Sequence, residues 1–454
     1  MAVIDPILST VRWLCAAAIV LAAAGCATQA QRPYMAGEFD RNCSTAADSD
    51  PSRTTPERAQ GYALHFVEFD DQGWAFPNEG NGRPGLQIDC AIADLKARLE
   101  SPRDRKVVLF VYVHGWKHSA ADDDGDLDRF RKLLASRVPL FEDRDVVGIY
   151  VGWQGRTMDE FLGLENLNFW ARKNAAGRVA DGRVRELFSR IRGLRAYWNT
   201  TAQTTTDCGA DGAGNDGCRL RTVMIGHSFG GLILFNSAEP YLLEAVSIDR
   251  DLPAGVRRQR PPRSRSIADL IVLLNPAFEG SRFEPLFEAS QRYQTGRNEP
   301  PMLVMITSSA DRATKNAFPI ARWFNTILQY PSSSDDQSSA MRRTPGHIDR
   351  FLTHELCHGG AECAKDEAWA PAAGRELGPL HALCDGLALR SYAAADGAAR
   401  PIIWNVRTDA SVIKSHGDID GPAVVSFVEQ IYGSVTRPSG LACADGTHVA
   451  SVLP

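Results

Sequence analysis

The stretch that most constrains this chain is Arg219 to Leu232, RLRTVMIGHSFGGL. Thr222 to Ile225 are β-favouring and predict a strand. Gly226, His227, Ser228, Phe229, Gly230 and Gly231 then precede an apolar run with helical character, Leu232 to Leu243. The order is strand, tight turn, helix, with a serine at the turn. Glycines stand two residues to either side of that serine. Where a strand and a helix backbone approach this closely there is no room for a Cβ, so glycine is the residue that fits. Ser228 is thereby lifted out with its hydroxyl accessible. The backbone N–H of Phe229, at the start of the helix, is aimed at a site where negative charge could develop.

The Gly226-His227-Ser228-Phe229-Gly230 pattern in this setting resembles the nucleophile elbow, G-x-S-x-G, of the α/β-hydrolase superfamily. The resemblance implies an α/β-hydrolase fold, with a mostly parallel central sheet flanked by helices and carrying loop insertions. It also assigns roles along the chain. Val107 to Val113 is a continuous apolar run of the kind expected for a strand buried on both faces, and it ends in His114-Gly115-Trp116. In the superfamily the residue after such an HG supplies an oxyanion N–H, which here is Trp116, with Phe229 supplying the other. The longer stretch HGWKHSA, followed by acidic residues and Phe130-Arg131, is similar to an uncharacterised bacterial and fungal subgroup of these hydrolases.

The triad acid has two candidates. Met302 to Ile306 predicts a strand opening into Thr307-Ser308-Ser309-Ala310-Asp311-Arg312-Ala313-Thr314, and the resemblance places the acid at Asp311. Glu279, following the strand Ile267 to Leu274, is the alternative. The base implied is His416, on the loop between the strand Pro401 to Val406 and a terminal helix Ala423 to Tyr432; His347 is the alternative. The order Ser228, Asp311, His416 is that of the superfamily. The resemblance thus implies a serine hydrolase of carboxylic esters, esterase- or lipase-like, needing no cofactor and no metal, with a small-molecule or lipid ester as substrate. A thioesterase or acyltransferase would carry the same residues. A catalytically inactive hydrolase-fold lipoprotein serving as a binding module is the competing class.

The N-terminus predicts export. Val11 to Ala24 is a short apolar stretch ended by Gly25-Cys26, too short for a membrane anchor, which takes ~20 residues. Residues 1–25 read as a signal peptide. Leu21-Ala-Ala-Ala-Gly25-Cys26 resembles the bacterial lipobox, which implies lipidation of Cys26 and a membrane-anchored lipoprotein facing the periplasm or cell surface, or a secreted protein if Cys26 is not modified. Residues 26–60, rich in Ala, Ser, Thr, Asp and Pro without apolar periodicity, read as a flexible tether.

Beyond Cys15 and Cys26, eight cysteines remain of the ten: Cys43, Cys90, Cys208, Cys218, Cys357, Cys363, Cys384 and Cys443. An even number in an exported protein suggests disulfides. Local spacing favours Cys208 with Cys218 and Cys357 with Cys363; elimination leaves Cys43 with Cys90 and Cys384 with Cys443. Zinc on His354, Cys357, His358 and Cys363 is the alternative use, without a CxxC pair to support it.

Residues 61–435 form the α/β domain. Tyr62 to Phe69 predicts a first strand, Ile88 to Leu99 a helix and Val146 to Val151 a further strand. Phe161 to Lys173 and Arg183 to Trp198 predict amphipathic helices. Residues 331–400 or so read as an insertion over one edge of the site, its Ser- and Asp-rich start at Pro331 to Met341 as mobile, and 436–454 as a C-terminal tail. The acidic run Asp122, Asp123, Asp124, Asp126, Asp128 has oxygens suited to calcium, but reads more simply as a solvated loop at a helix N-terminus; Asp207, Asp211, Asn215 and Asp216 form a second such group. The net charge of −5 and the absence of a basic patch with interleaved aromatics exclude nucleic acid as the expected partner.

Overall fold

The structure, a computed structural model, describes residues 57–59, 61–76, 85–101, 106–156, 169–199, 217–247, 266–291, 300–326, 329, 335–359, 377–392, 402–436, 441–443 and 448–449. Cys26, Cys43, Cys208 and Cys363, the signal peptide, most of the tether and the second acidic group lie outside these residues.

In chain order the elements are β1 (Glu57–Ala59), β2 (Tyr62–Phe69), α1 (Leu86–Glu100), β3 (Lys106–Val113), α2 (Gly125–Arg137), β4 (Arg144–Trp153), α3 (Phe169–Asp181), α4 (Val184–Asn199), β5 (Leu220–His227) and α5 (Phe229–Ser247). Next come β6 (Leu270–Leu274), α6 (Gly280–Gln291), β7 (Leu303–Ser308), α7 (Phe318–Thr326), α8 (Asp335–Arg342), β8 (His354–His358), β9 (Leu377–Ala382), β10 (Leu387–Tyr392), β11 (Ile403–Thr408) and α9 (Pro422–Thr436). The protein is α/β: these eleven strands form one sheet in the order β1-β2-β4-β3-β5-β6-β7-β11-β8-β10-β9. From β2 across to β8 every neighbouring pair is parallel, and antiparallel strands close the sheet at both ends.

The unbroken apolar run of β3 follows from its central position. Val107, Leu109, Val111 and Val113 pack into a core shared with α1, α3, α4, α5 and α6. Val108, Phe110 and Tyr112 alternate onto the other face, where α2 and α9 cover the sheet. With helices on both faces a strand has no solvated side, so the period-two alternation disappears. The chain passes from β3 to β4 on one side and returns to place β5 on the other. The connections after β3 and β5 lead to helices on opposite faces of the sheet, the topological position at which open α/β sheets bind ligands.

The stretch after residue 330 adds elements that its composition did not indicate. Residues 335–342, read as mobile, form a helix: Asp335 and Asp336 occupy its first turn and Arg342 its last, the charge order that opposes the helix dipole, and Ala340 is fully buried. Residues 354–358 and 377–392 extend the sheet, β8 pairing with β11 and β10 running back along β8. The β9–β10 hairpin turns through Asp385 (φ 56) and Gly386 (φ 69), two successive left-handed residues as a tight primed turn requires. Cys384 in that hairpin is disulfide-bonded to Cys443. Cys90, Cys218 and Cys357 are also disulfide-bonded, which removes Cys357 from any zinc site. None of the helices among the described residues is long and apolar enough to cross a membrane.

Candidate active site

Ser228 follows β5 directly and adopts φ 54, a left-handed conformation that costs a non-glycine residue free energy and needs its surroundings to hold it. The holding bonds are visible. The Ser228 N–H donates to the Leu274 carbonyl at 3.1 Å, and the Ser228 carbonyl accepts from Ala277 N–H at 3.1 Å. The flanking glycines are required by contact. A Cβ on Gly230 would stand 2.0 Å from the Val113 carbonyl oxygen and 2.5 Å from that of His114, and one on Gly226 would stand 2.8 Å from the Gly230 carbonyl oxygen. The end of β3 and the first turn of α5 are thus in direct backbone contact.

His416 lies between Ser228 and Asp311. Its Nε2 is 2.8 Å from Ser228 Oγ and its Nδ1 is 2.8 Å from Asp311 Oδ2. The ionised carboxylate only accepts, so Nδ1 carries the proton and Nε2 is left to accept from the serine hydroxyl. Asp311 is fully buried. Its Oδ1 accepts from the N–H groups of Ala313 and Thr314 at 2.9 and 3.3 Å, and its Oδ2 also accepts from Thr314 Oγ1 at 2.5 Å. Burial pushes this carboxyl upward, but the hydrogen bond and charge of His416 together with the bonds from Thr314 outweigh it and hold the group below the usual carboxylate range.

The two alternative residues take other places. His347 bonds through Nε2 to Thr314 Oγ1 at 3.0 Å, the hydroxyl that also bonds Asp311; burial lowers it to about 4. Glu279 is bonded to Lys173 at 2.6 Å, with Arg322 and Arg282 each at 3.0 Å, and is held at about 2 by those cations against the opposing effect of burial.

His114 and Gly115 shape the turn after β3. His114 Nε2 accepts from Trp153 N–H at 3.0 Å, which leaves Nδ1 to donate to the Gly115 carbonyl at 2.9 Å, while Trp153 Nε1 donates to the His114 carbonyl at 2.9 Å. Burial lowers His114 to about 4, in keeping with a neutral ring. A Cβ on Gly115 would come within 3.1 Å of the Ser228 Cβ, so the turn passes directly over the serine. Among the described residues no acceptor engages the N–H of Trp116 or of Phe229. Their rings are neighbours, with centroids 6.1 Å apart.

Other residues hold this arrangement without being apparent in the sequence. The His416 carbonyl accepts from His227 Nε2 at 2.9 Å and from Asn275 Nδ2 at 3.1 Å, so the loop bearing His416 is gripped from the elbow and from the end of β6. Asn275 has φ 42, and Asn is among the few non-glycine residues that tolerate that region; an Asn-Pro pair ending a strand was the available signal. The acidic run divides in two. Asp122, Asp123 and Asp128 are exposed, whereas Asp124 and Asp126 are buried. Asp124 caps α2 by accepting from Asp126 N–H and also bonds His118, and Asp126 accepts from Tyr112 Oη at 3.0 Å and Arg129 at 2.9 Å. Part of the run is therefore interior structure instead of solvated loop.

Compared with protein-family models, with curated proteins and with solved structures, the chain matches none of them.

Proposed function

We propose that this chain is a serine hydrolase of the α/β-hydrolase kind that cleaves carboxylic esters through Ser228, His416 and Asp311. The observation that carries the reading is the placement of one imidazole at 2.8 Å from both a strained serine hydroxyl and a buried carboxylate, drawn from three loops that follow three strands. In the first half-reaction His416 Nε2 takes the Ser228 proton as Oγ bonds to the ester carbon. The oxyanion that forms is received by the N–H groups of Trp116 and Phe229. The ester C–O bond then breaks, and the imidazolium returns its proton to the departing alkoxide. In the second half-reaction water, deprotonated by His416, attacks the acyl-serine, and the acid is released as Ser228 regains its proton. Asp311 keeps Nδ1 protonated and stabilises the imidazolium in both halves.

The proposal extends to location. A membrane-anchored lipoprotein acylated at Cys26 and working outside the cytoplasm accords with the Cys384–Cys443 disulfide, since such bonds persist in oxidising compartments. The test is p-nitrophenyl ester hydrolysis by wild type and Ser228→Ala. Loss of at least three orders of magnitude in a folded variant is expected; equal turnover in the two would remove Ser228 from the chemistry.

A further inference from the structure

Lys173 on α3, Arg282 on α6 and Arg322 on α7 converge on a single carboxylate. Lys173 Nζ and Arg322 share Glu279 Oε1 at 2.6 and 3.0 Å, and Arg282 Nε binds Oε2 at 3.0 Å. Among the described residues three positive groups share one negative group, an excess of two positive charges. None of the three cations has a second acidic partner among the described residues. A network that served only to tie helices together would approach neutrality, because an excess of buried charge is costly. Lys173 and Glu279 are nearly inaccessible and Arg322 is largely so, whereas the Arg282 side chain is 47% exposed. Of the three cations, Arg282 is therefore the one most open to an anion from solution. Lys173 spends one of its three donors on Glu279. Burial pushes Lys173 down, with smaller pushes in the same direction from Arg322 and Arg282, against the opposing effect of Glu279.

The cluster is joined to the candidate nucleophile by aromatic rings. Phe229, next to Ser228, has its ring 5.2 Å from that of Phe169. Phe169 in turn lies 5.2 Å from Trp170 and 6.3 Å from Phe318. Lys173 Nζ is 5.9 Å from the Phe318 ring, and the Arg322 guanidinium is 6.0 Å from Trp170. Phe229 and Phe318 are buried in the core, whereas Trp116, Phe169 and Trp170 are partly exposed, so a run of partly exposed rings lies between the serine and the cations.

We propose that Lys173, Arg282 and Arg322 form a subsite for an anionic group of the substrate, a carboxylate or phosphate, with the partly exposed rings of Trp116, Phe169 and Trp170 receiving the hydrocarbon between that group and the scissile carbonyl. This rests on the serine hydrolase reading and narrows it to esters that carry an anionic end. Arginine forks and an ammonium are the groups that recognise such oxyanions.

The experiment compares kcat/KM for p-nitrophenyl hydrogen glutarate and p-nitrophenyl valerate in wild type, Arg282→Gln and Glu279→Gln, with binding of inorganic phosphate and of acetate titrated separately at fixed ionic strength. Wild type should favour the glutarate ester. Arg282→Gln, a change at a half-exposed position compatible with folding, should lower the anionic-to-neutral ratio roughly tenfold; Glu279→Gln should raise it. The two titrations show whether carboxylate or phosphate is the better occupant, and binding of either that weakens in Arg282→Gln upholds the subsite. A wild-type ratio near one, unmoved by Arg282→Gln, together with no binding of either ion, would overturn it. If neither ester is cleaved, the hydrolase reading fails by itself and the titrations still decide the subsite: Arg282-dependent binding upholds it, and absence of binding rejects it.

Discussion

Asp311→Asn isolates the contribution of the buried acid without changing its shape. The native carboxylate accepts four hydrogen bonds, two on each oxygen, whereas an amide offers one oxygen and one NH₂. If the amide oxygen stays with the backbone N–H groups of Ala313 and Thr314, the NH₂ faces His416 Nδ1. The ring must then shift its proton to Nε2 and would donate to Ser228 instead of accepting from it. The charge is lost as well. An imidazolium and a carboxylate with charge centres ~4 Å apart attract by ~4 kcal/mol at an effective dielectric of about 20. At 1.36 kcal/mol per decade, losing this attraction alone slows the chemical step roughly a thousandfold, and the wrong tautomer adds to the loss. The assay is kcat for p-nitrophenyl butyrate beside a thermal melt. A folded Asp311→Asn protein within tenfold of wild-type kcat would refute the reasoning.

Gly230→Ala would force a methyl to 2.0 Å from the Val113 carbonyl oxygen; a drop of roughly 3 kcal/mol or more is expected in urea unfolding with loss of esterase activity, and wild-type stability would contradict the backbone contact. Stability should also fall with acid before most carboxylates titrate. Burial lowers His114 to about 4, His347 to about 4 and His354 to about 3, whereas unfolded histidines titrate near ~6.5. The unfolded chain therefore binds more protons below that pH, at a cost of roughly 1.4 kcal/mol per pH unit for each histidine until its folded value is reached. Asp311, held low in the fold, adds a loss of the same sign further down. A urea midpoint unchanged between pH 7 and pH 5 would count against neutral buried histidines. Cys443→Ser opens a link spanning 59 residues, for which loop-closure entropy gives roughly 4 kcal/mol; the unfolding midpoint should fall accordingly, and one that is unmoved would show the bond to be idle.

The candidate site was legible in the sequence because each of its residues occupies a strand end that local chemistry marks. Gly226 and Gly230 mark the elbow, Gly115 closes an apolar strand, and Asp311 and His416 stand on loops after strands. Less legible were residues that act through backbone atoms distant in the chain. His227 and Asn275 meet at the His416 carbonyl, and nothing in local sequence connects them. Helix bounds also escaped in part. The helix read over Phe161 to Lys173 is described from Phe169 and continues to Asp181, passing through Gly177. Ala175, Ala176, Val179 and Ala180 are buried in the core there, so tertiary packing overrides the weak intrinsic propensity. The Asp385-Gly386 pair was a hairpin signal present in the sequence. The α/β class followed from the apolar runs of β3, β5 and β6, whose burial on both faces requires helices on both sides.

The most direct measurement is peptide mapping by mass spectrometry after exposure to a fluorophosphonate at neutral pH. A single adduct should form on Ser228, and His416→Ala should abolish it while leaving the protein folded. An adduct on another residue, or equal labelling of Ser228 in wild type and in folded His416→Ala, would contradict the activation of this serine by that histidine.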